Sequence, residues 1–298
     1  MTDPRDVRGI VRMAQEAEDA GFDMVMVSDH VLLGPTAGDQ GRMENPRDYA
    51  MPGNQDPMTA WPSSLILLAA IAAATSRIRV GAIALITPLR HPLVLAKDLA
   101  TLDLLSEGRL VIQPTVSWHR DEYDAIGVPF NQRGRILDEQ LEIFSRVWRD
   151  SPASFEGEFF SFSDVYLEPK PYRPEGPAMW FGGETLKPAV LRRLLKYGSG
   201  YHPVGRARAE DVDVLRVGLA SVGKDLADVE MIGGTRVEFP DGDSCAPLPQ
   251  ALEEIPRQLE LGFTTFAIKP SIFIDDRDQH AAFCADVVSR VAALTEED

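Results

Sequence analysis

Cysteine is scarce. Cys245 and Cys284 are the only two in 298 residues, and no CxxC spacing joins them. That excludes a disulfide framework or a cysteine metal cluster and points to a reducing compartment. Long apolar runs are missing as well. No stretch reaches the ~18 residues of a membrane span, and the opening Met1 to Asp6 lacks the apolar core of a signal peptide. A cytoplasmic protein is therefore expected. Basic residues are few: 30 Lys and Arg stand against 46 Asp and Glu, a formal net charge of -16. Such a surface repels nucleic acid and anionic lipid, so neither is expected as a partner, although a local basic pocket for a phosphate remains compatible with it. There is no P-loop, Gly-x-Ser-x-Gly elbow or zinc signature, and Gly198-Ser199-Gly200 precedes no helix, so it is not a dinucleotide fingerprint.

What is present is alternation. Ile78 to Ile86 is an almost continuous apolar run, as in a strand covered on both faces. Thr87 to Pro92 stops it with two prolines. Pro92 opens a helix with Leu95, Leu99 and Leu102 on one stripe, Gly108 closes it, and Leu110 begins the next strand. The same rhythm runs through the chain. A first helix is capped by Thr2 or Asp3, with Pro4 in its first turn, and closed by Gly21. A strand spans Phe22 to Val27, and a long loop spans Gly34 to Trp61. A helix runs from Pro62 to Thr75, and another is capped by Asn131. Residues 151–177 form an insertion with a hairpin near Phe155. Met179 to Gly183 is strand then turn, with Thr185 capping a helix. A short strand covers Tyr201 to Val204. Helix 207–222, strand Val229 to Phe239, helix Pro249 to Leu261, strand Thr264 to Lys269 and helix Asp278 to Leu294 complete the series.

That makes seven strands and eight helices, read as one domain over residues 1–298. Alternation means a parallel sheet, and eight units would close a (β/α)8 TIM barrel. One strand is missing at the front. Either the barrel is open there, or another segment or chain fills the slot, or the natural chain begins further upstream. In parallel α/β folds ligands meet the strands' carboxyl ends, so the residues just after each strand are the candidates.

Several of those residues fall into a family pattern. Gly21 to His30, Thr75 to Gly81, Leu99 to Asp103, Gly108 to Leu110, Gly127 to Phe130 with Arg133 and Gly134, and Trp180 to Gly183 together resemble the luciferase-like monooxygenase superfamily. The resemblance is strongest to its coenzyme F-420-dependent oxidoreductase branch. It runs from about Arg5 to Gly200. It implies a barrel of the bacterial-luciferase type and a cofactor that is coenzyme F-420, or alternatively FMN, bound at the strands' carboxyl ends. It also implies a homodimer formed through helices near the first units. Family members usually begin with a strand that this chain lacks.

The candidate site follows from both lines. His30 ends the first strand. An imidazole there can pass a proton to or from a substrate oxygen, and Asp29 beside it could orient the ring; the resemblance places such a histidine next to the flavin-type ring. Ser28 lies on the same strand end. Gly182, Gly183 and Thr185 form a strand-to-helix turn suited to an anion, and the resemblance puts the cofactor phosphate there. Tyr201 and His202 could line the cofactor face. Ala84 belongs to the segment Ala82 to Leu85, where relatives often carry a non-proline cis peptide; Thr87 follows it. Gln113, Thr115 and Ser117 stand where relatives usually alternate glycines, so their side chains are expected to enter space the cofactor would use, and Trp118 could stack on a ring. Arg90 and His91 read as exposed turn residues or as holders of an acidic tail. His119 and Glu122 read as a solvated helix face and His280 as surface, and no metal site is expected.

The leading expectation is an oxidoreductase moving hydride between coenzyme F-420 and a small organic substrate. The loop 34–61 would act as its lid, with Met43, Tyr49, Met51, Met58 and Trp61 favouring an apolar or aromatic substrate. The alternatives are a two-component FMN-dependent monooxygenase and a catalytically lapsed barrel serving as a binding scaffold.

Overall fold

A computed structural model describes residues 3–49, 51–204, 207–240 and 242–295. Seven strands form one parallel sheet: β1 (Met24–Val27), β2 (Arg79–Ile86), β3 (Leu110–Thr115), β6 (Ala178–Phe181), β7 (Gly200–Tyr201), β8 (Glu230–Gly234) and β9 (Thr265–Ala267), in that order. A separate antiparallel hairpin pairs β4 (Ala153–Glu156) with β5 (Ser161–Val165). The helices are α1 (Val7–Ala20), α2 (Ser64–Ala74), α3 (Pro92–Leu105), α4 (Arg120–Ile126), α5 (Arg133–Val147), α6 (Pro188–Tyr197), α7 (Ala209–Ala220), α8 (Leu248–Leu252), α9 (Ile255–Glu260) and α10 (His280–Thr295). The expected helix over Pro249 to Leu261 is thus two short ones, and the strand expected over Val229 to Phe239 covers only five residues.

The sheet is a curled half-barrel with an open seam. Among the described residues β1 pairs only with β2, and β9 only with β8. Outside the seam the helices meet: Ala17 of α1 clusters with Phe283, Cys284 and Val287 of α10. His280, expected at the surface, is instead buried there, its Nδ1 2.8 Å from Glu16 Oε2. The cap of α1 also differs from the expectation. Asp6 accepts from the Gly9 amide at 2.9 Å, while Asp3 serves Arg5 and Thr2 lies outside the described residues. Nor does Asn131 cap α5, which continues a 3-10 turn over Phe130–Gln132.

Strand alternation separates two cores. One faces the helices: Val80, Ala82, Leu85, Ile112, Phe181, Tyr201 and Met231 pack with Leu68, Leu99, Leu141 and Phe144. The other fills the barrel: Ile83, Val111, Trp180 and Ile232, with Met24 and Met26. Below this plug Arg79 makes a two-pronged ion pair with Glu230, at 2.8 and 2.7 Å, which Thr265 also joins. The interior is therefore packed, not a pore, and in this architecture a ligand is met at the rim formed by the strands' carboxyl ends. No helix among the described residues is long and apolar enough to cross a membrane.

Candidate active site

His30 sits one turn of loop beyond β1 and is almost fully buried. Its Nδ1 lies 3.0 Å from Oε2 of Glu122. Glu122 is itself fully buried, and its other oxygen accepts from the Val31 and Leu32 amides at 2.8 and 3.3 Å. A carboxylate can only accept, so it holds the His30 proton on Nδ1 and leaves the Nε2 lone pair free. Nε2 makes no hydrogen bond among the described residues. The ring is walled edge-on by Trp61, with centroids 4.8 Å apart, and by Trp118 at 6.2 Å.

Glu122 is the candidate site residue that the sequence alone does not reveal. His119 and Glu122 read as a solvated helix face, yet both are fully buried: the short helix α4 starts at the barrel rim and turns its first residues inward. His119 Nε2 accepts from the Gly34 amide at 2.7 Å, so its proton resides on Nδ1, which is buried without a partner. Burial lowers the His119 pKa and keeps the ring neutral. Asp121 accepts from the Thr36 amide and hydroxyl, both at 2.9 Å, and these bonds hold its carboxyl below the usual range. The start of α4 thus grips residues 30–36.

Asp29 does not orient the His30 ring. It points the other way, is fully buried, and receives Arg90 in a two-pronged pair at 2.7 and 2.9 Å. The Ser64 hydroxyl at 2.8 Å and the Ile86 amide at 2.9 Å complete its shell. Asp29 thereby ties the ends of β1 and β2 to the start of α2 and fixes the backbone that presents His30. Arg90, expected as an exposed turn residue or as a holder of an acidic tail, is committed to this pair instead. His91 is exposed, and its Nδ1 caps the Leu93 amide at the start of α3.

The remaining candidates divide. Ser28 is exposed at the rim, and Ala84, Thr115 and Trp118 are partly buried there. The Ile83–Ala84 peptide is cis, within the expected segment. Thr87 is fully buried, and its carbonyl receives Gln140 of α5, so it lies behind the sheet. Tyr201 also faces the helix layer, beside Phe263. The register pairs Trp180 with Gly200 and Phe181 with Tyr201; since Trp180 is inside, Gly200 and His202 are inside and Tyr201 is not.

Gln113 does enter the interior, as its replacement of glycine suggested. It is buried, and its Oε1 accepts from His202 Nδ1 at 2.8 Å. Burial pushes the His202 pKa down to about 4, so the ring is neutral at pH 7 with its proton on Nδ1. The pair spans from β3 to β7 and forms the floor of the rim. This explains Gly182 in purely structural terms. A Cβ there would lie 1.7 Å from the His202 carbonyl oxygen, so any side chain must displace β7. Gly183 is under no such constraint, its nearest neighbour being 3.7 Å away. Thr185 does not cap the following helix, which begins at Pro188 after Lys187.

The loop 34–61 crosses the rim from β1 to the far side of the seam. Asn45 donates to the Ser244 carbonyl, and Arg47 reaches the carbonyls of Asp243, Ser271 and Ile274 and the carboxylate of Asp275. Lys269 answers by donating to the carbonyls of Arg47 and Asp48. Met51 and Met58 face solvent, so the loop's expected apolar lining reduces to its partly buried members, chiefly Tyr49 and Trp61.

A family model described as luciferase-like monooxygenase matches residues 1–245. The chain belongs to that family. An uncharacterized protein of Mycobacterium tuberculosis is 35% identical over 175 residues, 58% of this chain and 60% of the relative. The chain thus spans about three fifths of the length of such relatives. An FMNH2-dependent dimethylsulfone monooxygenase of Pseudomonas putida is 28% identical over 177 residues, 58% of this chain and 43% of that protein. Among solved structures, the coenzyme F-420-dependent tetrahydromethanopterin reductase of Methanopyrus kandleri superimposes with a TM-score of 0.71. It covers 97% of both chains at 16% identity, a likeness of fold.

Proposed function

We propose that the protein is an oxidoreductase that binds a flavin-type cofactor at the rim and uses His30 as its acid/base toward a small organic substrate, with coenzyme F-420 as the cofactor. The observation that carries this reading is the buried Glu122–His30 pair, which leaves one imidazole nitrogen without a hydrogen bond among the described residues, beside the Trp61 and Trp118 rings. Unpartnered buried polar atoms at Trp61 Nε1 and His119 Nδ1 line the same place and fit a polar ring system. When bound, the deazaflavin supplies a ring carbon that gives or takes hydride. Ser28, Ala84, Thr115, Trp118 and His202 would border it, above the Gln113–His202 floor. The amides of the Gly182–Gly183 turn would receive its phosphate, helped by the Thr185 hydroxyl. His30 Nε2 gives or takes the proton at the substrate oxygen, and Glu122 keeps its partner nitrogen protonated throughout.

The likeness to the Pseudomonas putida enzyme supports a second reading, in which the same rim takes reduced FMN and oxygen. Oxygen uptake separates the two. With coenzyme F-420 and an alcohol or carbonyl substrate panel, the expected result is absorbance change of the cofactor without oxygen consumption. Substrate-dependent oxygen uptake with reduced FMN alone would establish the monooxygenase instead.

We also propose that a second copy of the chain covers α2 and α3. Helix α2, Ser64–Ala74, carries no charged residue, yet lies on the outside of the barrel with Ile66 74% exposed; Val94 of α3 is 60% exposed beside it. A helix apolar all round calls for cover on every side. Light scattering is expected to give twice 32.8 kDa; the mass of one chain would contradict it.

A further inference from the structure

Among the described residues Arg236 is a cation without a counter-ion. The chain carries 46 acidic residues, and most of its buried or half-buried arginines, Arg47, Arg79, Arg90 and Arg193 among them, hold a carboxylate. Arg236 is partly buried and makes no hydrogen bond or ion pair among the described residues. Its guanidinium rests 5.3 Å from the centroid of the Tyr49 ring. Lys269 Nζ lies 5.3 Å from the same ring, held there by the Arg47 and Asp48 carbonyls.

The position matters as much as the charge. In β8, Glu230 and Ile232 face the interior; alternation continues through Gly234 to Arg236 on the inner side, just past the strand's carboxyl end. In β9, Thr265 faces inward to Glu230, and alternation brings Lys269 to the same rim. The loop strapped across the seam then sets Tyr49 between them. Asp48, next to Tyr49 in the chain, spends an oxygen on the Tyr49 amide at 2.7 Å. Keeping a half-buried guanidinium unpaired costs solvation that a bound anion would restore.

We infer that Arg236, backed by Lys269 and Tyr49, is the subsite that recognises an anionic group on the substrate, so that the substrate is a small organic anion, such as a carboxylate, with an apolar or aromatic body. The inference deepens the proposed function and rests on that placement of the substrate at the rim. The body would lie toward Trp61 and Trp118, on the His30 side. The cofactor phosphate has a separate place at the Gly182–Gly183 turn after β6, two strands away from Arg236 in the sheet order.

The test uses the full chain without cofactor and two probes that share an aromatic body, benzoate and benzyl alcohol, followed by ligand-observed NMR titration. The wild type is expected to bind benzoate at least tenfold more tightly than benzyl alcohol. Arg236→Met is expected to bring the two within about twofold, and Arg236→Lys to keep a preference for benzoate. Equal binding by the wild type, or a preference that survives in Arg236→Met, overturns the inference. Titrating wild type and Arg236→Met with coenzyme F-420 and with FMN forms the second arm. The variant is expected to keep the wild-type affinity; a tenfold loss would assign Arg236 to the cofactor's acidic tail and overturn the inference. A wild type that binds neither cofactor but prefers benzoate would sink the proposed function and leave the anion subsite standing.

Discussion

His30→Ala is expected to lower turnover by about 100- to 10,000-fold, the usual worth of a positioned acid/base, while cofactor affinity stays within a few-fold. The split matters because two roles are possible for a ring beside a cofactor. A wall residue would raise KM or weaken cofactor binding, whereas a proton-transfer residue lowers kcat. Glu122→Gln probes the same claim from behind. The amide keeps the shape but can donate as well as accept, so it no longer dictates which imidazole nitrogen carries the proton. A smaller loss is expected, together with a displaced pH profile for kcat; a structural role alone would lower stability and leave that profile in place. Unchanged kcat in His30→Ala would remove His30 from the chemistry.

Asp29→Ala is expected to cost about 3–5 kcal/mol of folding stability, the range for stripping one partner from a buried ion pair. The reason lies in what is left behind. Arg90, the Ser64 hydroxyl and the Ile86 amide all aim at the carboxylate; the buried hydroxyl and amide lose their acceptor, and the half-buried Arg90 keeps only the Ile86 carbonyl. The measurement is urea unfolding followed by circular dichroism, read as a fall in midpoint at constant slope. Pairing Asp29→Ala with Arg90→Met should recover part of the loss, because the stranded charge goes too. A loss below about 1 kcal/mol would show that the rim is held elsewhere.

How far the sequence anticipated this molecule depended on the range of the forces involved. The unit from β2 through α3 to β3 was legible because its signals are local: an apolar run, a proline at the helix start and a glycine past its end. The seven-strand count was legible for the same reason. Glu122 was not, because its burial comes from His30, 92 positions away, and nothing local tells a carboxylate at a barrel rim from one in solvent. Tyr201 and His202 were both advanced for the cofactor face. A two-residue strand does not announce its register, and only its pairing with β6 turned His202 inward and Tyr201 out. Gly182 illustrates a different limit. Its glycine suited an anion site, but the His202 carbonyl that a side chain would strike is reason enough for it. Thr185 has a capping side chain, but Pro188, a good first helical residue, stands three positions on and starts the helix instead.

The most direct measurement is tryptophan fluorescence titration of the purified chain with coenzyme F-420 and, separately, with FMN, since Trp61 and Trp118 flank His30. The account predicts quenching by coenzyme F-420 at low-micromolar concentration, retained in His30→Ala. No response to either cofactor at tens of micromolar would contradict it. The buried Gln113–His202 floor and the open seam would then mark a rim that has ceased to serve a flavin-type ring.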